Sequence, residues 1–194
     1  MAYSLRIEPA EHFINWQQDP FGNYQARIVI PKPAAELLVE VDLVAELTVI
    51  NPFDFFLDDD AQHFPLTYAP ALRRDLIPYL QTGAFGARFA DFVERARSRM
   101  AVPGQRLIDL LVDLNRHVHT TLRYDVRMEP GVFAPEETLE RGHGSCRDFA
   151  WLLVQTLRHL GLAARFASGY SIQLKADEKP LRGPAGVLHD AVDL

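Results

Sequence analysis

The side chains best suited to chemistry gather in one stretch, Gly142-His143-Gly144-Ser145-Cys146-Arg147-Asp148-Phe149-Ala150. Cys146 is the single cysteine of the 194-residue chain. An amphipathic pattern begins at it and runs to Leu160, which puts the thiol in the first turn of a predicted helix. Ser145 suits the N-cap, and Asp148, three residues on, can reach back as the acidic half of a capping box. The unpaired N–H groups at a helix start favour a thiolate over a thiol. The same groups can receive the oxyanion of a tetrahedral intermediate. Cys146 is therefore the candidate nucleophile, with Gly144, Ser145 and Asp148 supporting it. The competing reading of a lone cysteine is a small buried hydrophobe, and position alone leaves both open.

His189 lies 43 residues after Cys146, a distance that does not by itself establish it as a base for the thiol. Asp190 is a poor orienter for it, because neighbours on a strand face opposite ways; Asp193 is the other carboxylate nearby. His143 reads as a solvent-facing loop residue that could perturb the thiol. His117 and His119 sit near a helix end, where they would offset the C-terminal dipole. Tyr124 precedes the cysteine loop and could line the site. No cofactor or metal is expected: one cysteine excludes a Cys-rich zinc site, and Cys146, His143 and His189 match no common ligand spacing.

The elements that would position these residues change character along the chain. Tyr3, Leu5 and Ile7 alternate with polar neighbours. Phe13–Trp16, Ala26–Ile30 and Leu37–Ile50 also read as strands, with a turn at Asp19-Pro20-Phe21-Gly22-Asn23. Residues 51–70 form a linker that the aromatic cluster Phe53, Phe55 and Phe56 could anchor. Helical stripes follow at Phe85–Met100, Leu107–Val118 and Cys146–Leu160, the last closed by Gly161 at C′. Leu122–Val126 and Ala163–Ile172 read as extended. Strands, then helices, then strands describe an α+β chain. The expected division is a β-rich N-terminal domain at 1–66, itself incomplete, and a core domain at 67–194.

Bulk properties narrow the function. Apolar residues make up 48% of the chain, enough for a sizeable core. A net charge of −6 with no basic run disfavours nucleic acid as a partner. No stretch reaches the ~18 apolar residues of a membrane helix, and Met1–Glu8 is not a signal peptide. With a lone thiol, these features lead to an expected cytoplasmic location.

Gly144-Ser145-Cys146-Arg147-Asp148-Phe149-Ala150, then Arg158, Gly161, Ala164-Arg165 and Ser168-Gly169-Tyr170, resemble the transglutaminase-like core, a papain-like fold, over about Leu107–Tyr170. Trp16, the Asp19-Pro20 turn with Gly22-Asn23 and the strand pattern are similar to the β domain that precedes this core in bacterial members. The resemblance implies a Cys-His-Asp triad. It also implies a thioester formed on a peptide or glutamine-type amide and resolved by water (a cysteine protease or other hydrolase) or by an amine (an acyltransferase). The family's histidine is usually followed by Ala-Trp and its aspartate lies on the next strand; neither pattern is found here. Two explanations are open. The histidine and aspartate lie beyond Leu194, so that the core lacks its C-terminal strands and the chain alone has little activity; or His189 is the base. The partner is then a protein or peptide substrate, and an open sheet edge would invite homo-oligomers. The alternative function is a non-catalytic protein-binding module of the same fold.

Overall fold

The computed structural model describes residues 2–44, 55–170 and 188–193. The chain divides into two compact units, Met1–Phe55 and Phe56–Leu194.

In the first unit, alternation of apolar and polar residues produces two antiparallel ladders. Strand β1 (Ala2–Glu8) pairs with β4 (Leu38–Val44), and β2 (Phe13–Gln18) pairs with β3 (Tyr24–Val29). The β1–β4 register sets Tyr3, Leu5 and Ile7 opposite Leu43, Val41 and Val39 on one face. The other face pairs Arg6 with Glu40 at 3.4 Å and Ser4 with Asp42 at 3.4 Å. Between β2 and β3 the Asp19 carboxylate accepts the N–H groups of Phe21 and Asn23, both at 2.9 Å, and the Asn23 amide at 2.8 Å. The bond from the Asn23 side chain is the first cause of a carboxyl held below its ordinary range. Of the long strand expected at 37–50, residues 38–44 are β4, and residues 45–50 lie outside the described set. Phe55 and Phe56 of the expected anchoring cluster are exposed instead, and Phe53 lies outside the description.

The second unit carries the larger core. After a 3₁₀ turn at Asp59–Ala61 come short helices α1 (Pro70–Asp75) and α2 (Ile77–Leu80). Helices α3 (Ala87–Arg99) and α4 (Leu107–Thr121) follow, then β5 (Arg123–Tyr124), α5 (Pro135–Arg141), β6 (His143–Gly144) and α6 (Cys146–His159), and last β7 (Arg165–Tyr170) and β8 (Leu188–Asp193). Strands β5 and β6 pair parallel, whereas β7 and β8 pair antiparallel.

Helix α6 is the centre of this unit. Its Leu152, Val154 and Leu157 are wholly buried, an arc wider than the single stripe read from the sequence. Leu157 and Val154 pack with Leu110 and Leu114 of α4, while Leu152 packs with Phe89 and Phe92 of α3. Strands β7 and β8 lie along α6 as well. A helix covered from several sides buries polar residues too, and each finds a partner: Thr156 donates to Leu152 O at 2.8 Å, and Gln155 accepts the Gly83 N–H at 3.4 Å.

Helix α5 was not expected, although its signals are present. It has Pro135 at N1, Glu136 and Glu137 in the first turn, Arg141 in the last, and Gly142 at the C-cap with φ +68°. It has a visible structural task. The Glu136 carboxylate accepts the N–H groups of Arg88 and Phe89 at 3.2 and 2.9 Å and so caps α3. The helix of His117 and His119 also needs a correction. His117 is not a cation at the helix end: its ring stacks on Phe92 at 5.0 Å. Burial, then Arg95 and Arg99, push its pKa below the ordinary value. His119 is exposed in the last turn.

Candidate active site around Cys146

The site is built where a two-residue ladder feeds a helix. Strand β6 ends at Gly144, Ser145 is the N-cap, and Cys146 is the first residue of α6 and partly exposed. Ser145 and Asp148 form the expected capping box. The Asp148 carboxylate turns back so that Oδ2 accepts the Ser145 N–H at 2.8 Å and the Ser145 hydroxyl at 2.7 Å.

Asp148 does more than cap. It is 0% exposed, and a buried carboxylate needs a full set of donors. Arg127 provides a bidentate pair, Nη2 to Oδ1 at 2.8 Å and Nε to Oδ2 at 3.2 Å. The Phe133 N–H adds a bond to Oδ1 at 2.8 Å. Burial alone would raise the carboxyl pKa. The bonds from Arg127, Phe133 and Ser145 outweigh it and hold the value at about 2.

Arg127 was not anticipated from the sequence. Its guanidinium lies 3.9 Å from the centre of the Phe133 ring and donates to the carbonyls of Glu129 and Gly131 at 3.2 and 2.8 Å. Arg147 points into the same loop, donating to the Arg127 carbonyl at 3.0 Å and to that of Glu129. Two arginines thus thread the segment between β5 and α5. Val126, Met128 and Val132 are left on its outer surface.

The two glycines flanking His143 have different reasons to be there. Gly142 adopts φ +68°, a conformation that L side chains rarely tolerate. Gly144 has no such backbone. A Cβ there would sit 2.9 Å from Asp148 Cβ and 3.3 Å from the Phe149 ring, so the glycine admits the first turn of α6 against the ladder.

That contact also identifies which face of the ladder meets the thiol. Tyr124 is paired with Gly144 and shares its face. The Tyr124 ring meets Phe149 edge-on at 6.2 Å, and its hydroxyl is near enough to Cys146 to feel the thiol. Burial first, then Cys146, push the phenol pKa up, which keeps this hydroxyl a donor at neutral pH. His143 and Asp125 fall on the opposite face by strand alternation, where His143 Nδ1 lies 3.4 Å from Asp125 Oδ2. The ladder therefore brings Tyr124 to Cys146 and turns His143 away; His143 is half-buried and paired rather than a free loop residue.

His189 lies on β8, opposite Gly169 of β7. Its side chain, with those of Asp190 and Asp193, is outside the description. Among the described residues no group of three His, Cys, Asp or Glu side chains could hold a metal ion, and no helix is long and apolar enough to cross a membrane.

Residues 1–46 match the bacterial transglutaminase-like N-terminal region, and residues 96–188 match the transglutaminase-like superfamily. Uncharacterized proteins from Mycobacterium tuberculosis and Mycobacterium bovis are 25% identical over 173 residues, covering 88% of this chain and 54% of each relative. The chain thus spans about half the length of the curated relatives it matches. A crystal structure described as that of a "putative cysteine protease" from Cytophaga hutchinsonii aligns with a TM-score of 0.56 at 16% identity, covering 99% of this chain and 60% of that one. That likeness is one of fold: β hairpins followed by a papain-like core.

Proposed function

We propose that this chain, a transglutaminase-like protein with the bacterial N-terminal region ahead of its core, uses Cys146 to open peptide or glutamine-type amide bonds through a thioester. The observation that carries the reading is the sulfur itself: partly exposed, first in its helix and beside the tyrosine of the neighbouring ladder. The sulfur anion attacks the carbonyl carbon, and the C=O pair moves onto oxygen. The Cys146 and Arg147 N–H groups and the Tyr124 hydroxyl are the donors we assign to that oxyanion, since the Asp148 and Phe149 N–H groups donate to the Ser145 carbonyl. Collapse breaks the C–N bond, the amine leaves with a proton, and the acyl group stays on sulfur. Water or a primary amine then attacks the thioester and returns the thiol.

The thiol proton must pass to a base, whose protonated form then gives it to the leaving amine, and His189 is the residue we assign. The 14 residues of α6 rise about 21 Å, and the six of β7 span about 20 Å. Strand β7 starts just after the C-terminal end of α6, at Arg165, and lies along that helix. A strand of that length returns toward the end that bears Cys146. His189 is registered opposite Gly169 near the far end of β7, which supports its assignment as the base.

The test is acyl capture. The protein is incubated with a p-nitrophenyl ester and with a glutamine-containing peptide, each with and without a fluorescent primary amine, and intact mass is followed. The expected result is an acyl adduct on Cys146, absent in Cys146→Ala and formed more slowly in His189→Ala. Amine incorporation identifies an acyltransferase, and release of acid alone identifies a hydrolase. If no adduct forms on a folded protein, the thiol-enzyme reading is wrong and the protein-binding module takes its place.

A further inference from the structure

The chemistry proposed for Cys146 leaves one feature unused: a buried ion pair anchored in the helical turn that bears the sulfur. Asp148 is wholly buried, carries a negative charge and sits two residues from Cys146 in the same turn. An uncompensated carboxylate there would oppose a second anion on sulfur and cancel the benefit of the helix start. Its charge is met by a single cation, Arg127, whose side chain is only 12% exposed and grips both carboxylate oxygens. Arg147, the other cation of the turn, is directed at the carbonyls of Arg127 and Glu129 rather than at Asp148.

Resting on the reading of Cys146 as nucleophile, we propose that Arg127 is a positioning residue for the thiol. It cancels the buried Asp148 carboxylate and clasps the segment from Glu129 to Phe133, so that the start of α6 remains favourable to a sulfur anion. Nearest to Cys146 along the chain and ladder are Tyr124 from β5, Arg147 and Asp148 from α6 and Arg127 from the loop, while His189, Asp190 and Asp193 belong to β8, the strand packed on α6. His143 and Asp125 face the other side of the ladder. The Arg127–Asp148 pair can be neutralised from both ends without touching either the sulfur or its assigned base.

The experiment is the rate of iodoacetamide labelling of Cys146 against pH in the full chain. It compares wild type, Asp148→Asn, Arg127→Met and the double variant, with folding of each checked by circular dichroism. Asp148→Asn leaves one extra positive charge and moves the labelling profile to lower pH. Arg127→Met leaves one extra negative charge and moves it to higher pH. Each displacement is at least ~0.5 pH unit, a modest fraction of what one charge a turn away exerts at an effective dielectric of about 20. The double variant returns close to wild type. If Arg127→Met fails to fold, Asp148→Asn against the double variant carries the same sign, with the single variant labelling at lower pH. Both charges displacing the profile the same way, or a folded double variant that stays displaced, would make the pair purely structural and overturn the proposal. Wild-type Cys146 that resists labelling at every pH would instead overturn the nucleophile reading on which it rests.

Discussion

Acid should unfold this protein partly through one carboxylate. Asp148 has a native pKa of about 2 against an ordinary 3.8. A depressed carboxylate contributes stability that is complete above the unfolded value and is lost as pH falls through the folded one. The difference of about 1.8 units corresponds to roughly 2.5 kcal/mol at neutral pH. By the same relation about half of it survives at pH 3 and only a few tenths of a kcal/mol remain at pH 2. The perturbation is Asp148→Asn, which keeps the shape and removes the titration. Urea unfolding of both proteins at pH 7, 4 and 3 gives the stability gap directly, and general acid effects on other groups cancel in the difference. The gap should be widest at pH 7, close to that value at pH 4 and narrowed by about 1 kcal/mol at pH 3. A gap that does not change with pH would refute the claim that five donors, rather than packing, hold this carboxylate ionised.

Other perturbations have equally definite outcomes. Gly144→Ala forces a Cβ to 2.9 Å from Asp148 Cβ and should cost about 1–3 kcal/mol by thermal melting, with slower labelling of Cys146. Glu136→Ala removes the acceptor of the Arg88 and Phe89 N–H groups and should cost ~1 kcal/mol in urea unfolding. Leu157→Ala, at a site with no exposure, should cost about 2–5 kcal/mol. Tyr124→Phe deletes one hydroxyl from a half-exposed ring, so stability should change by less than about 1 kcal/mol while ester acylation of Cys146 slows.

What could be read from the sequence follows the range of the interactions concerned. The start of α6 was legible because Ser145, Cys146 and Asp148 are within four residues of each other, and its end because Gly161 is a local stop signal. The same holds for the turn at Asp19–Asn23, closed by bonds within itself. Arg127 was not legible: it meets Asp148 across 21 residues of chain, and nothing periodic links them. The reason for Gly144 was not legible either, because only the packed helix reveals that space is the constraint. Helix α5 was missed at seven residues, too short for a hydrophobic stripe to stand out although its terminal signals were present. His143 carried no sign of which way it faced until the β5–β6 register fixed it.

The shared acceptor at Asp148 has a consequence for motion. The amides of Phe133 and Ser145 belong to a loop and a helix cap, yet both end on one carboxylate. Peeling away the loop would strand that charge inside the protein, so the segment has no inexpensive opening of its own. Hydrogen exchange at both amides should therefore report one collective event rather than local fraying.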